Sequence, residues 1–188
     1  MLAASTGVIC SSIVLPFYSL GALVVPITEE FGWSRAEFQL ALLFSTGTGV
    51  ITAPLVGIVI DKVGARVVAL SGLVGLSCAL ILAAFQNGEL WMLYFAYTAM
   101  AFLGAGTIPV TWTRAITSIF VTQRGLALGI MLSGTGICAI TVPQLTVWLT
   151  SEYGWRTAYL GLAALPTLLA GPLVYFFFKP ATSVEEGS

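Results

Sequence analysis

The chain has 188 residues, of which 58% are hydrophobic and only 8% are charged, and its mean hydropathy is +1.00. Soluble domains carry about a quarter charged residues. So few charges cannot cover the surface of a water-soluble fold, which places the chain in the membrane class. With a net charge of −1 and no basic patch, no nucleic-acid partner is expected. The lack of histidine excludes histidine-based catalysis and histidine metal sites, and we expect no metal and no cofactor.

Long uncharged runs divide the chain, and the two shortest, residues 67–88 and 157–178, hold 22 residues each. A helix of that length covers about 33 Å, enough for a hydrocarbon core of about 30 Å. The runs do not alternate polar with apolar residues as membrane strands do, and the first lacks the basic region of a signal peptide. The sequence therefore predicts one all-α bundle over residues 1–178, with six transmembrane helices at about 2–27, 38–60, 67–87, 90–113, 125–150 and 157–178.

Lysine and arginine indicate the orientation, because basic residues concentrate in cytoplasmic connections. Five of the seven basic residues fall in one set of connections: Lys62, Arg66, Arg114, Arg124 and Lys179. The other set holds Arg35 and Arg156. Both termini are therefore predicted to be cytoplasmic in a plasma or inner membrane. Residues 179–188 are predicted to form a polar tail or the start of a linker.

The connection between the second and third spans, GIVIDKVGAR (57–66), has charges that topology alone does not explain. Lys62 and Arg66 suit any cytoplasmic turn, but Asp61 contributes little to orientation. Gly57 lies one helical turn before Asp61 and would let a neighbouring helix approach, and Gly64 would support the tight turn. Asp61 is expected to bind a neighbouring helix N-terminus or to pair with Arg66. We interpret these five residues as a latch that holds the cytoplasmic side closed.

These five residues resemble the signature loop between the second and third helices of the major facilitator superfamily. Residues 29–41, 123–136 and 153–163 are similar to its monocarboxylate-porter and oxalate/formate-antiporter branch. The fifth helix lacks the clear Gly-Pro-x-x-Gly-Gly element that many drug/proton antiporters carry. The resemblance implies two inverted three-helix repeats that form the N-terminal half of a two-half fold, with substrate bound between the halves. A C-terminal half or a second copy is then the expected partner, besides the lipid bilayer.

The resemblance further implies that helices one and four line a central cavity. The candidate cavity residues are Tyr18, Tyr97, Thr107, Thr111 and Arg114. Each has an alternative interpretation, since threonine hydroxyls bond their own helix carbonyls. For Arg114, near the cytoplasmic end of its span, a topological role is favoured over binding of a substrate carboxylate.

The resemblance thus implies a secondary active transporter of a small organic anion, such as a monocarboxylate, that works by alternating access. The alternative is a non-transporting membrane subunit or a truncated pseudo-transporter. An intramembrane enzyme is disfavoured, because the spans contain neither histidine nor aspartate nor glutamate as candidate catalytic groups.

Overall fold

The computed structural model describes residues 2–119 and 124–177, so the predicted tail over 179–188 lies outside the described residues. Within that part of the chain every regular element is helical, and six helices are long and apolar enough to cross a membrane. The predicted all-α, six-span class is confirmed. The elements are α1 (Leu2–Ile9), α2 (Val14–Phe31), α3 (Arg35–Val63), α4 (Ala65–Ala84), α5 (Leu90–Leu103), a 3₁₀ turn (Gly104–Thr107), α6 (Pro109–Ile119), α7 (Arg124–Tyr153), α8 (Trp155–Ala164), a π-helical turn (Leu165–Ala170) and α9 (Gly171–Phe177).

We number the spans in chain order. Span 1 comprises α1 and α2, and spans 2, 3 and 5 are α3, α4 and α7. Span 4 runs from α5 through the 3₁₀ turn to α6, and span 6 runs from α8 through the π turn to α9. Helices α3 and α7 extend past the predicted bounds of 38–60 and 125–150, because the polar residues that flank the uncharged runs still adopt helical turns.

Local sequence signals set the ends of the helices. Ser34 caps α3: its hydroxyl accepts from the Glu37 backbone N–H at 3.2 Å, and the Glu37 carboxylate accepts from the Ser34 N–H at 2.8 Å. A single glycine joins α3 to α4 and another joins α7 to α8, and Gly64 and Gly154 have φ angles of +86° and +83°. Only glycine adopts this left-handed region without strain, so each pair of antiparallel spans turns within one residue.

Helix α4 is the centre of the bundle. It packs against α5 and the 3₁₀ turn on one side and against α8 and the π turn on the other. Half of α4 is buried inside the bundle, as is more than half of an apolar 18-residue stretch of span 4, whereas most of α3 and α7 is exposed. The exposed apolar side chains on α3 and α7 include Val50, Ile51 and Ile140. These two helices therefore present their apolar faces outward, to lipid or to another protein.

Glycines bring span 3 and span 4 into backbone contact. A Cβ added to Gly72 would lie 2.8 Å from the Cα of Gly106, and one added to Gly106 would lie 2.0 Å from the Val68 carbonyl oxygen. In lipid, such close approach is a main source of helix association. The G-x-x-x-G pattern at Gly125 and Gly129, by contrast, has open space around both positions. It plays no part in packing among the described residues.

Two spans are interrupted, and the interruptions meet. Span 1 breaks at residues 10–13, between α1 and α2, and span 4 leaves the α-helical path at residues 104–108. The backbone N–H of Ser12 in the first break donates to the Thr107 hydroxyl in the second at 2.9 Å, and Thr107 donates in turn to the Gly104 carbonyl at 2.8 Å. Thr107 thus bonds backbone groups of both spans.

Candidate functional site

The predicted latch residue Asp61 forms an ion pair between spans 2 and 4. Asp61 lies in the last turn of α3, and its carboxylate Oδ1 is 2.5 Å from Nη1 of Arg114 on α6. The same nitrogen donates to the Gly57 carbonyl at 3.3 Å. One guanidinium therefore bonds two groups one helical turn apart on α3. We call Asp61 and Arg114 the latch pair, and the bundle end that holds them the latch end.

The latch pair is open to solvent, since the Arg114 and Asp61 side chains keep 45% and 67% of their accessible surface. Exposed ion pairs typically contribute about 0.2–1 kcal/mol, because water and salt screen them. A pair of this strength adds little to the stability of the fold.

Arg66, a second predicted latch residue, does not pair with Asp61. Its Nη2 donates to the Tyr175 carbonyl at 2.5 Å, and its guanidinium carbon lies 5.1 Å from the centre of the Tyr175 ring. Arg66 therefore binds the end of span 6 to the start of span 3, with a cation at the C-terminal turn of a helix. Lys62 is exposed and forms no ion pair with any described residue.

Gly57 contacts a side chain rather than the backbone of a neighbouring helix. A Cβ added there would lie 3.5 Å from Arg114 Nη2, which is an ordinary van der Waals contact. The expectation that Gly57 permits close helix approach does not match this geometry. Gly64 does occupy the predicted tight turn, with a positive φ, and its N–H donates to the Ile60 carbonyl at 2.8 Å.

The five predicted cavity residues do not line one common surface. Tyr97 is fully buried, and its hydroxyl lies 3.3 Å from that of Tyr159 inside the bundle. Thr107 joins the two interruptions, Arg114 belongs to the latch pair, and Tyr18 is half-buried at the edge of the core. Thr111 is buried, and its hydroxyl has no partner among the described residues. The five residues therefore lie in different places: in the core, at the interruptions and at the latch end.

The opposite end of the bundle holds a second ion pair that the sequence analysis did not identify. Glu30, at the end of α2, accepts from Arg156 Nη1 at 2.8 Å and from the Trp155 indole N–H at 2.5 Å. The Arg156 guanidinium lies 4.1 Å from the centre of the Trp155 ring, and its Nη2 donates to the Gln86 carbonyl at 3.4 Å. The Gly-Trp-Arg triplet at residues 154–156 could have indicated a site at this end of the bundle. Its partner Glu30 is distant in sequence, and only the fold brings it close.

Comparison with known proteins identifies the family. The chain matches the Major Facilitator Superfamily over residues 4–188. It belongs to that superfamily. It is 30% identical to human Monocarboxylate transporter 14 over 158 residues. This alignment covers 83% of this chain and 31% of the human protein. It is 28% identical over 167 residues to Monocarboxylate transporter 13 of Rattus norvegicus (81% and 38%), and 26% identical over 178 residues to Multidrug resistance protein MdtG of Proteus mirabilis (93% and 43%).

The chain thus spans less than half the length of each of these relatives, from 31% to 43%. The resemblance of residues 57–66 to the superfamily is confirmed, and the monocarboxylate transporter relatives agree with the branch inferred from residues 29–41, 123–136 and 153–163. The similarity to MdtG shows that the missing Gly-Pro-x-x-Gly-Gly element does not separate this chain from every drug-resistance protein.

The superfamily's inverted repeats relate the two glycine turns but not the two ion pairs. Spans 1–3 correspond to spans 4–6 with opposite orientation. Gly64 turns span 2 into span 3 and Gly154 turns span 5 into span 6, with φ angles three degrees apart. Beside the first turn, Asp61 pairs with Arg114 of span 4; beside the second, Arg156 pairs with Glu30 of span 1. The two ion pairs are not equivalent under the repeats, because Asp61 lies on span 2, before its glycine turn, whereas Arg156 lies on span 6, after its own.

Proposed function

We propose that the chain is part of a secondary transporter that moves a small organic anion, such as a monocarboxylate, across the membrane by alternating access. The observation that carries the proposal is the latch pair, which joins spans 2 and 4 through a weak, exposed contact at one end of the bundle. Membership of the superfamily and similarity to monocarboxylate transporters support transport and, more weakly, the substrate. They also favour a transporter over an enzyme.

In this mechanism the latch pair stabilises the state in which the latch end is closed. Breaking the pair frees spans 2 and 4 to separate when that end opens. We further propose that the latch end faces the cytoplasm, as the excess of Lys62, Arg66 and Arg114 at that end indicates. The chain's termini would then both be cytoplasmic.

A second six-helix unit would complete the transport path. The exposed apolar faces of α3 and α7 support this proposal, since most of both helices has no partner among the described spans. The unit is either a further part of the same polypeptide or a second copy of the chain. Sequencing the coding DNA beyond Ser188, together with the particle mass in nanodiscs, separates the two; a stop codon with a monomeric mass would contradict both.

Uptake into liposomes tests the proposed function. We expect saturable uptake of radiolabelled short-chain carboxylates that Asp61→Asn reduces without reducing the amount of folded protein. If no carboxylate accumulates above empty liposomes, the substrate class is wrong. If nothing is transported and the chain copurifies with an unrelated membrane protein, the alternative of a non-transporting subunit is favoured.

A further inference from the structure

A cavity of about 270 Å³ lies where the interruption of span 1 meets spans 2 and 4. Ser12, Phe17, Leu42, Ser45, Thr46 and Ile108 are among the residues that line it. Pockets for drug-sized ligands measure about 300–1,000 Å³, so this cavity suits a smaller molecule. None of these lining residues belongs to the latch pair or to the predicted cavity set.

Three hydroxyl groups in the cavity wall lack hydrogen-bond partners among the described residues. Ser12 is 2% exposed and its Oγ is unbonded, and its carbonyl has no helical donor at position 16 because that residue is a proline. Ser45 and Thr46 likewise make no hydrogen bond among the described residues, whereas Thr48 on the same helix donates to the Phe44 carbonyl at 2.8 Å. In a helix, bonding to one's own backbone is the usual state of such hydroxyls. The Ser45 and Thr46 hydroxyls are accessible to a ligand, and the buried Ser12 hydroxyl reaches it by rotation of its side chain.

The cavity carries no countercharge for a carboxylate. All the described residues that line it are uncharged, and its other walls are apolar side chains such as Phe17, Leu42 and Ile108. Arg114, a predicted substrate cation, is engaged with Asp61 at the latch end. Burying a carboxylate without a cation is far more costly than burying a hydroxyl that hydrogen-bonds. The charged group of an anionic substrate would therefore stay outside this cavity.

We propose that Ser12, Ser45 and Thr46 form a subsite for the uncharged end of the substrate: a short hydrocarbon body with a hydroxyl or carbonyl oxygen distant from the carboxylate. Ser45 and Thr46 bond that oxygen directly, and the Ser12 side chain rotates from its buried position to contribute a third hydroxyl. The identification of the ligand as a carboxylic acid rests on the proposed function. The subsite for an uncharged group does not rest on it.

Protection of an introduced cysteine tests the subsite without requiring transport. Gly49 lines the cavity and Gly47 does not, and a Cβ at either position meets nothing within 4 Å. Gly49→Cys therefore places a thiol in the cavity, and Gly47→Cys is its matched control. The measured quantity is the rate at which a small water-soluble maleimide labels the protein in nanodiscs. It is measured with pentanoate, 2-hydroxypentanoate or 4-hydroxypentanoate present. The labelling rate of the wild type, which is due to its native cysteines, is subtracted.

We expect 4-hydroxypentanoate to protect the Gly49→Cys variant at a half-maximal concentration about 2- to 12-fold lower than that of pentanoate. One net hydrogen bond increases affinity by about this factor. Position 47 should not be protected. Ser45→Ala and Thr46→Val in the Gly49→Cys background should remove the preference, whereas Thr48→Val should keep it.

Two results would overturn the subsite: no protection of position 49 by any of the three acids, or protection by 2-hydroxypentanoate equal to that by 4-hydroxypentanoate. Selective protection in a protein that transports no carboxylate would instead overturn the proposed function and leave the subsite standing.

Discussion

Exchanging the two charges of the latch pair is the most direct test of its role. Asp61→Arg alone and Arg114→Asp alone each place two like charges within contact distance, while the double variant restores an attractive pair in the reversed order. If the pair stabilises the closed latch end, each single variant should slow transport and the double variant should recover part of the loss.

The exposure of the pair limits the size of the effect. Because both side chains keep 45% or more of their surface in solvent, the attraction is about 0.2–1 kcal/mol. That free energy changes the ratio of closed to open molecules by about 1.4- to 5-fold. Repulsion in the single variants is of similar size. The lost attraction and the added repulsion together change the ratio by about 2- to 30-fold, so we expect single variants with about two- to thirtyfold lower transport rates, and a double variant within about twofold of the wild type.

The assay is the initial rate of substrate uptake into liposomes, with the folded fraction measured by gel filtration for each variant. Lys62→Gln is the matched control, because it removes a charge from the same turn but leaves the latch pair intact. The reasoning is refuted if the double variant is as slow as the worse single variant, or if the single variants transport at the wild-type rate.

Three further predictions concern the ion pair at the opposite end, the packing of spans 3 and 4, and the anchor of span 6. Glu30→Gln should leave Arg156 more reactive toward a guanidine-modifying dione, with little change in melting temperature because both side chains of the pair are exposed; unchanged reactivity would show that the pair does not form in the membrane. Gly106→Ala should cost about 1–3 kcal/mol of stability by overpacking, whereas Gly136→Ala, which has open space, should change the denaturation midpoint little; equal losses would contradict the close approach. Arg66→Gln should increase proteolysis near the end of span 6, and a wild-type cleavage pattern would count against the anchor.

Much of the fold was predictable because the membrane imposes it. Charged residues end each uncharged run. An uncharged run of 22 residues crosses the hydrocarbon core as a helix, because a membrane strand is about half as long and belongs to a closed barrel. The one-residue turn at Gly64 was also predictable, since a glycine between two long apolar runs is a local signal. The break in span 1 was not predicted, because Ser11 and Ser12 alone do not disfavour a helix enough to end one.

The candidate site was predictable only in part. Asp61 stood out because it serves no topological purpose, but its partner lies 53 residues away on another span. Arg66, five positions along, was the nearer choice by sequence. Tyr97 was wrongly predicted to line a cavity, since its hydroxyl faces that of Tyr159 in the core; an aromatic residue on an apolar helix carries no sequence signal of which face it occupies.

The sequence by itself determined the membrane class, the six spans and the glycine turn at Gly64, because these depend on local hydropathy and on backbone freedom. Only the tertiary structure decided the partner of each charge, the glycines that pack and the hydroxyls left without a partner. The physical reason is that nearly every face of these helices is apolar, so helical periodicity does not say which face meets a neighbour. In lipid that choice depends on close packing and on a few hydrogen bonds between spans, which arise when residues distant in sequence come together.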